Sequence, residues 1–154
     1  MALKPDRIES YTDISYFMEV VAERGGIVVH LDSGVGASMD DADALVGLPP
    51  SADATDTKPA GLLLNDVVNL DLTRQHINWH KDEVQVGNKV TLLRQGQVTT
   101  NMVAEGATPT AGADAYYDGV GNLTTDDSTG SVKVGRFLSS LDSESYVKVD
   151  INIT

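Results

Sequence analysis

Apolar and polar residues alternate almost without a break at the end of the chain, where Tyr146, Val147, Val149, Ile151 and Ile153 mark the apolar positions. A period of two predicts a half-buried strand. "GGIVVHLD", residues 25–32, is a short apolar run behind two glycines and predicts another. From Ala60 onward, short apolar runs are broken by glycine. "GLLLNDVVNLDL" is dense and apolar, and "VGNKVTLLRQGQVTTNMV" reads as two short strands about Gln95-Gly96. "AGADAYYDGVGNLTTD" gives two more about Gly119 to Gly121, and "SVKVGRFLSSLD" a further one. Strands at spacings of about 8–12 residues with glycine-rich turns predict an all-β fold, a small barrel or sandwich of hairpins.

The first 24 residues read differently. Ile14, Phe17, Met18 and Val21 fall at i, i+3, i+4 and i+7, the stripe of a short helix, with Asp13 placed to cap it and Gly25-Gly26 to end it. "ISYF" is aromatic and β-branched, so the same stretch also admits an extended strand. We divide the chain into an N-terminal arm, 1–24, and a β-barrel domain, 25–154. That domain contains an exposed loop, 33–59, rich in Gly, Pro, Ala and Asp. Asp40, Asp41, Asp43, Asp53 and Asp56 stand in it with no basic residue before Lys58. Irregular stretches of such length are uncommon in compact domains and are often functional or mobile.

Two short tracts recur. "GQVTTN" (96–101) returns as "GNLTTD" (121–126), and Gly87 matches Gly112 at the same offset. Strand, glycine turn and strand explain every matched residue, so the repeat predicts paired hairpins rather than paired binding loops. "AGLLLNDV" (60–67) is echoed by "VGRFLSSL" (134–141), with Gly61 on Gly135, Leu64 on Leu138 and Val67 on Leu141.

Composition narrows the function. At 154 residues the chain fits one domain, or one domain with an arm. A chain of this length buries roughly 70% of its unfolded surface and needs no staple to fold. The absence of cysteine excludes thiol catalysis, disulfides and sulfur-ligated zinc. No apolar run approaches the ~18 residues of a membrane span, and "MALKPDRIES" lacks the apolar stretch of a secretory signal. Eleven Lys and Arg face 23 Asp and Glu, for a net charge of −12. Such a surface repels phosphate backbones, so no nucleic-acid partner is expected.

Candidate chemistry is thin. His76 and His80 share a face in a helix or a strand, but no third ligand accompanies them and no Glu follows His76. "DDAD" (40–43) lacks the glycine and the final Glu of a calcium loop. "GVGAS" (34–38) has no Lys-Ser/Thr after it, so it is no phosphate loop. His30 stands alone in its run, and no nucleophile elbow occurs. We expect neither catalysis, cofactor nor metal. The aromatic residues that stand out are in the arm: Tyr11, Tyr16 and Phe17, beside Ile14 and behind Lys4 and Arg7. These four, Tyr11, Ile14, Tyr16 and Phe17, are the candidate contacts to another protein, since aromatic anchors dominate such contacts.

A long loop, then "AGLLLNDV", glycine-punctuated hairpins and a final "VGRFLSSLDSESYVKVDI" resemble the head decoration, or cement, proteins of tailed phages. "ERGGIVVHLDSG" and "TRQHINWHKDE" add to the likeness, which spans most of residues 25–154. The resemblance implies a small β-barrel that binds the major capsid protein on the outer face of the capsid. It also implies a homotrimer, made in the host cytoplasm, with no catalytic residues and no membrane partner. Two other classes fit a β-rich acidic chain. One is another virion part, such as a tail-tube or head-completion protein. The other is a carbohydrate-binding or adhesion module, which needs an exposed aromatic cluster, with Tyr116-Tyr117 the candidate pair beyond the arm.

Overall fold

A computed structural model describes residues 2–31, 45–49, 54–69 and 83–153. The strands among them are β1 (Ile8–Met18), β2 (Ile27–His30), β3 (Leu45–Gly47), β4 (Pro59–Leu63), β5 (Asp66–Val68) and β6 (Glu83–Gln85). They continue with β7 (Lys89–Thr100), β8 (Asp114–Tyr117), β9 (Leu123–Thr124), β10 (Gly135–Phe137) and β11 (Val147–Asn152). The helical content of the described residues is one short 3-10 turn, Asp127–Thr129. The all-β expectation holds.

β7 organises the sheet. One edge pairs antiparallel with β1, from Ile8↔Gln97 to Phe17↔Lys89. The opposite edge is shared: β4 takes the Leu92–Leu93 stretch and β11 takes Gln95 to Thr100. From β4 the pairing passes through β2 and β3 and returns to β1 at Phe17↔Leu45 and Met18↔Val46. β1, β3, β2, β4 and β7 thus form a closed circuit. From β11 the sheet runs on, open, through β10, β8 and β9. The β1–β3 pair is parallel, so this large sheet is mixed, with a sandwich-like open part.

Two apolar clusters follow from that connectivity. Met18, Val28, Val46, Leu63, Val90 and Leu92 form one, and all five strands of the circuit contribute to it. A face common to every member of a closed circuit is its interior. The small parallel pair of β5 and β6 packs onto this cluster through Val67 and Val84. The other cluster joins the outward face of β2 and β4, through Ile27, Val29 and Leu62, to Phe137, Tyr117, Val149 and Ile151 of the open sheet. The alternation read in the last residues is seen directly: Val147, Val149 and Ile151 are buried while Lys148, Asp150 and Asn152 look outward.

Three expectations are corrected. The helical alternative for the arm fails, because residues 8–18 are strand β1. An aromatic and β-branched stretch gains more from the vacant edge of β7 than from a solvated helix. The loop 33–59 is not irregular throughout: Leu45, Val46 and Gly47 form β3, and Val46 is fully buried. The chain also does not turn at Gln95-Gly96, since β7 runs straight through both. Gly96 is there for closeness. A Cβ added to it would overlap the carbonyl oxygen of Ile8 on β1. Gly87, by contrast, has φ 88° and open space around it, as a turn glycine should.

The second copy of the repeat is a true hairpin. β8 and β9 are joined by a loop in which the Asp118 carboxylate accepts the N–H groups of Val120 and Asn122. The second echo holds only at its glycines. Gly61 and Gly135 both lie in strands where a side chain would strike a neighbour, but Leu64 is buried and Leu138 exposed.

Replacing Gly96 by Ala should therefore lower stability by about 1–3 kcal/mol, the usual range for overpacking a tight site. Exposed Val132→Ala should change it by less than about 0.5 kcal/mol. Urea midpoints of the two variants check this.

Candidate functional site

β1 is fixed at both ends and open between. Before it, Leu3 is buried, Lys4 donates its N–H to the Thr99 carbonyl, and Asn101 donates to that of Ala2. At its far end Met18 is fully buried inside the circuit. Between these anchors Ile8, Tyr11 and Ile14 are 57%, 51% and 64% exposed. Among the described residues, the edge of β1 that faces away from β7 is paired only at Phe17 and Met18. The strand is also irregular, with register shifts between Glu9 and Thr12 and between Asp13 and Tyr16.

Charges surround this apolar strip. Arg94, from β7, stands 6.0 Å over the Tyr11 ring and 4.0 Å from the Asp13 carboxylate. Arg7 pairs with Glu9, and the Lys89 ammonium lies 5.6 Å from the Phe17 ring. Tyr16 packs on His30 with ring centroids 5.3 Å apart and planes tilted by 59°. Partial burial raises the Asp13 carboxyl, but its bonds from the Ser15 hydroxyl and N–H, then Arg94, outweigh this and hold it below the ordinary range. His30 is pushed below the usual imidazole value by desolvation and then by Arg94. Each carboxylate on β1 has a cation beside it.

Of the four residues named from sequence, Tyr11 and Ile14 project into solvent, while Tyr16 and Phe17 are half-buried. The structure adds Ile8, which is exposed near the start of the same strand. It also adds Val120, which is exposed on the rim of a small crevice of about 60 Å³ shared with Ala22, Leu48 and Met102. Nothing local in the sequence marks those as neighbours. His76, His80 and the Asp40–Asp43 run lie outside the described residues. Among the described residues no group of three His, Asp or Glu could hold a metal. Tyr116 and Tyr117 sit on one strand and therefore on opposite faces. Tyr117 is fully buried with its hydroxyl 2.7 Å from that of Thr57, and desolvation raises its pKa against that bond. The pair is thus no exposed aromatic platform.

The described residues form a β-sheet module in which an anchored strand holds Ile8, Tyr11 and Ile14 in solvent, an arrangement suited to a structural protein. The comparison with protein families agrees. Residues 5–152 match the family described as structural cement protein (E217 gp24/Pam3 gp6). The chain belongs to that phage family, and it is a capsid-stabilising protein of the virion. No curated protein matches it. Nothing favours a tail-tube, head-completion or carbohydrate-binding role.

The loops supporting the sheet carry acid-sensitive stability. Asp142 accepts N–H groups from Tyr146 and Glu144, and the Tyr146 bond above all holds its carboxyl below the ordinary value of 3.8. Its stabilisation is present above that ordinary value and is lost as pH falls through the lower folded one. The melting temperature of Asp142→Asn should thus lie below wild type at pH 7, and the gap should close as the pH is taken below about 4. A gap independent of pH would remove the carboxylate from this role.

Proposed function

We propose that the chain sits on the outer face of the phage capsid as a homotrimer, bound to the major capsid protein through residues 1–24. Tyr11 and Ile14 are the principal contacts in this reading, with Ile8 beside them and Tyr16 and Phe17 completing the surface. The observation that carries it is the exposure of Ile8, Tyr11 and Ile14 on a strand locked by buried Leu3 and Met18. Apolar side chains held out on a rigid element lose little freedom on docking. The net charge of −12 supports the outer face, because an inner face meets packaged DNA. It likewise supports the absence of a nucleic-acid partner. The protein acts by area and geometry, without catalysis, cofactor or membrane, and is made in the host cytoplasm. Oligomerisation multiplies attachment, since each docked copy raises the effective concentration of the next.

The arm is also part of its own sheet, so deleting it would remove Leu3 and Met18 from the cores. Point substitutions are the cleaner test. Tyr11→Ser with Ile14→Ser should leave the melting temperature within a few degrees of wild type while weakening capsid attachment by about 2 kcal/mol or more, roughly 30-fold. Particles assembled with this variant should release DNA at a lower temperature than decorated ones. Full occupancy by the variant would move the contact elsewhere, and labelling of the chain inside the shell would overturn the outer location. The native mass of the purified protein should be three times the chain mass of 16.4 kDa, and any other multiple would overturn the homotrimer.

A further inference from the structure

Residues 8–14 read Ile-Glu-Ser-Tyr-Thr-Asp-Ile, a chemical palindrome about Tyr11. Ile8 mirrors Ile14, Glu9 mirrors Asp13, and Ser10 mirrors Thr12. They occupy the stretch of β1 whose outer edge pairs with no other described strand. We infer that this edge pairs antiparallel with the same edge of a second copy, across a two-fold axis through Tyr11, joining neighbouring cement units on the shell. The inference rests on the capsid attachment proposed above, which holds neighbouring copies side by side on the shell.

A sequence that reads alike in both directions is what a two-fold contact demands, because each residue meets its mirror position. Only one register matches the chemistry. Centred on Tyr11, Ile8 lies opposite Ile14 of the second copy, Ser10 opposite Thr12, and Tyr11 opposite itself. A slip of one position either way sets Ile8 against Asp13 or Ser15 and loses every apolar pair. Apolar and Ser–Thr cross-strand pairs each contribute about 0.2–1 kcal/mol. The register also sets Glu9 against Asp13, which alone would repel. Each of these carboxylates already has its own cation, Arg7 and Arg94 respectively.

Two features keep the contact weak for free copies. The irregular register of β1 bends the edge, a common guard against unwanted pairing. The net charge of −12 adds a general repulsion. Capsid binding removes the difficulty by holding copies at fixed separation and high effective concentration.

The absence of native cysteine allows a direct test. Opposed residues of an antiparallel pair have Cα atoms about 4.5–5.5 Å apart, inside the disulfide range of about 4.4–6.8 Å. Decorated particles carrying Tyr11→Cys, mildly oxidised, should yield covalent dimers of this chain that reductant dissolves. Ser10→Cys and Thr12→Cys, outside the proposed capsid contacts, should stay monomeric when each decorates alone and should link when mixed on one particle. Val132→Cys, exposed but far from β1 in sequence, should not link. A Ser10→Cys and Thr12→Cys mixture that decorates fully yet stays monomeric overturns the pairing and leaves capsid attachment standing. Equal linking by Val132→Cys also overturns it. If Tyr11→Cys fails to decorate, the Ser10→Cys and Thr12→Cys mixture decides, and monomers there overturn the pairing. Failure of the unaltered protein to bind the outer face would instead overturn the attachment reading itself.

Discussion

Everything in this fold depends on β7 being paired along both edges. A strand of twelve residues, Lys89–Thr100, offers more hydrogen-bonding groups than any one neighbour satisfies. β1 covers one edge, and β4 and β11 divide the other. That division creates the two apolar clusters, because β4 leads back through β2 and β3 to β1 while β11 leads away into the open sheet. Gly96 is the pivot: bare of a side chain, it lets the Ile8 carbonyl approach at the place where β7 passes from the closed circuit to the open sheet. The residues that hold β1 against β7 are therefore the residues that hold its apolar strip in solvent.

Much of the open sheet was legible in the sequence. β11 alternates cleanly, β2 is a bounded apolar run, and the β8–β9 hairpin carries a glycine turn. β7 was not, because a glycine required by a neighbouring strand and a glycine required by a turn look the same in one dimension. The arm was ambiguous for a related reason. Its apolar spacing of three and four, which would make a helical stripe, arises here because Met18 is buried while Ile14 projects outward. Tyr11 and Ile14 were found by residue type. Ile8 was missed because it precedes the apparent stripe, and Val120 because only tertiary structure sets it beside Ala22 and Met102.

One genuine structural repeat escaped sequence comparison. Asp118 accepts N–H groups at Val120 and Asn122, and Asp142 does the same at Glu144 and Tyr146. In both loops the fourth residue has positive φ, Gly121 at 84° and Ser145 at 65°. An aspartate side chain stands in for a backbone acceptor and closes each loop. Only the Asp is shared, so no string match finds it. The matched "TT" pairs were easier to see and mean less: Thr100 ties a strand end to the Gly25 carbonyl, while Thr124 caps its own strand by accepting the Asp126 N–H.

The acidic surface and the apolar strip answer opposing demands on a protein that must stay dispersed until its binding surface exists. Charge of one sign acts over about a Debye length, roughly 8 Å in physiological salt, and resists every mode of association equally. Apolar contact acts only when shapes meet. A net charge of −12 thus discourages encounters between free copies, while Arg7, Lys89 and Arg94 reduce that repulsion along β1 itself. Local compensation within a globally repulsive chain leaves one direction of approach less penalised than the rest. The same logic accounts for the placement of the cations beside aromatic rings: Arg94 over Tyr11 and Lys89 over Phe17 lower the local negative potential without occupying the exposed apolar faces of Ile8 and Ile14.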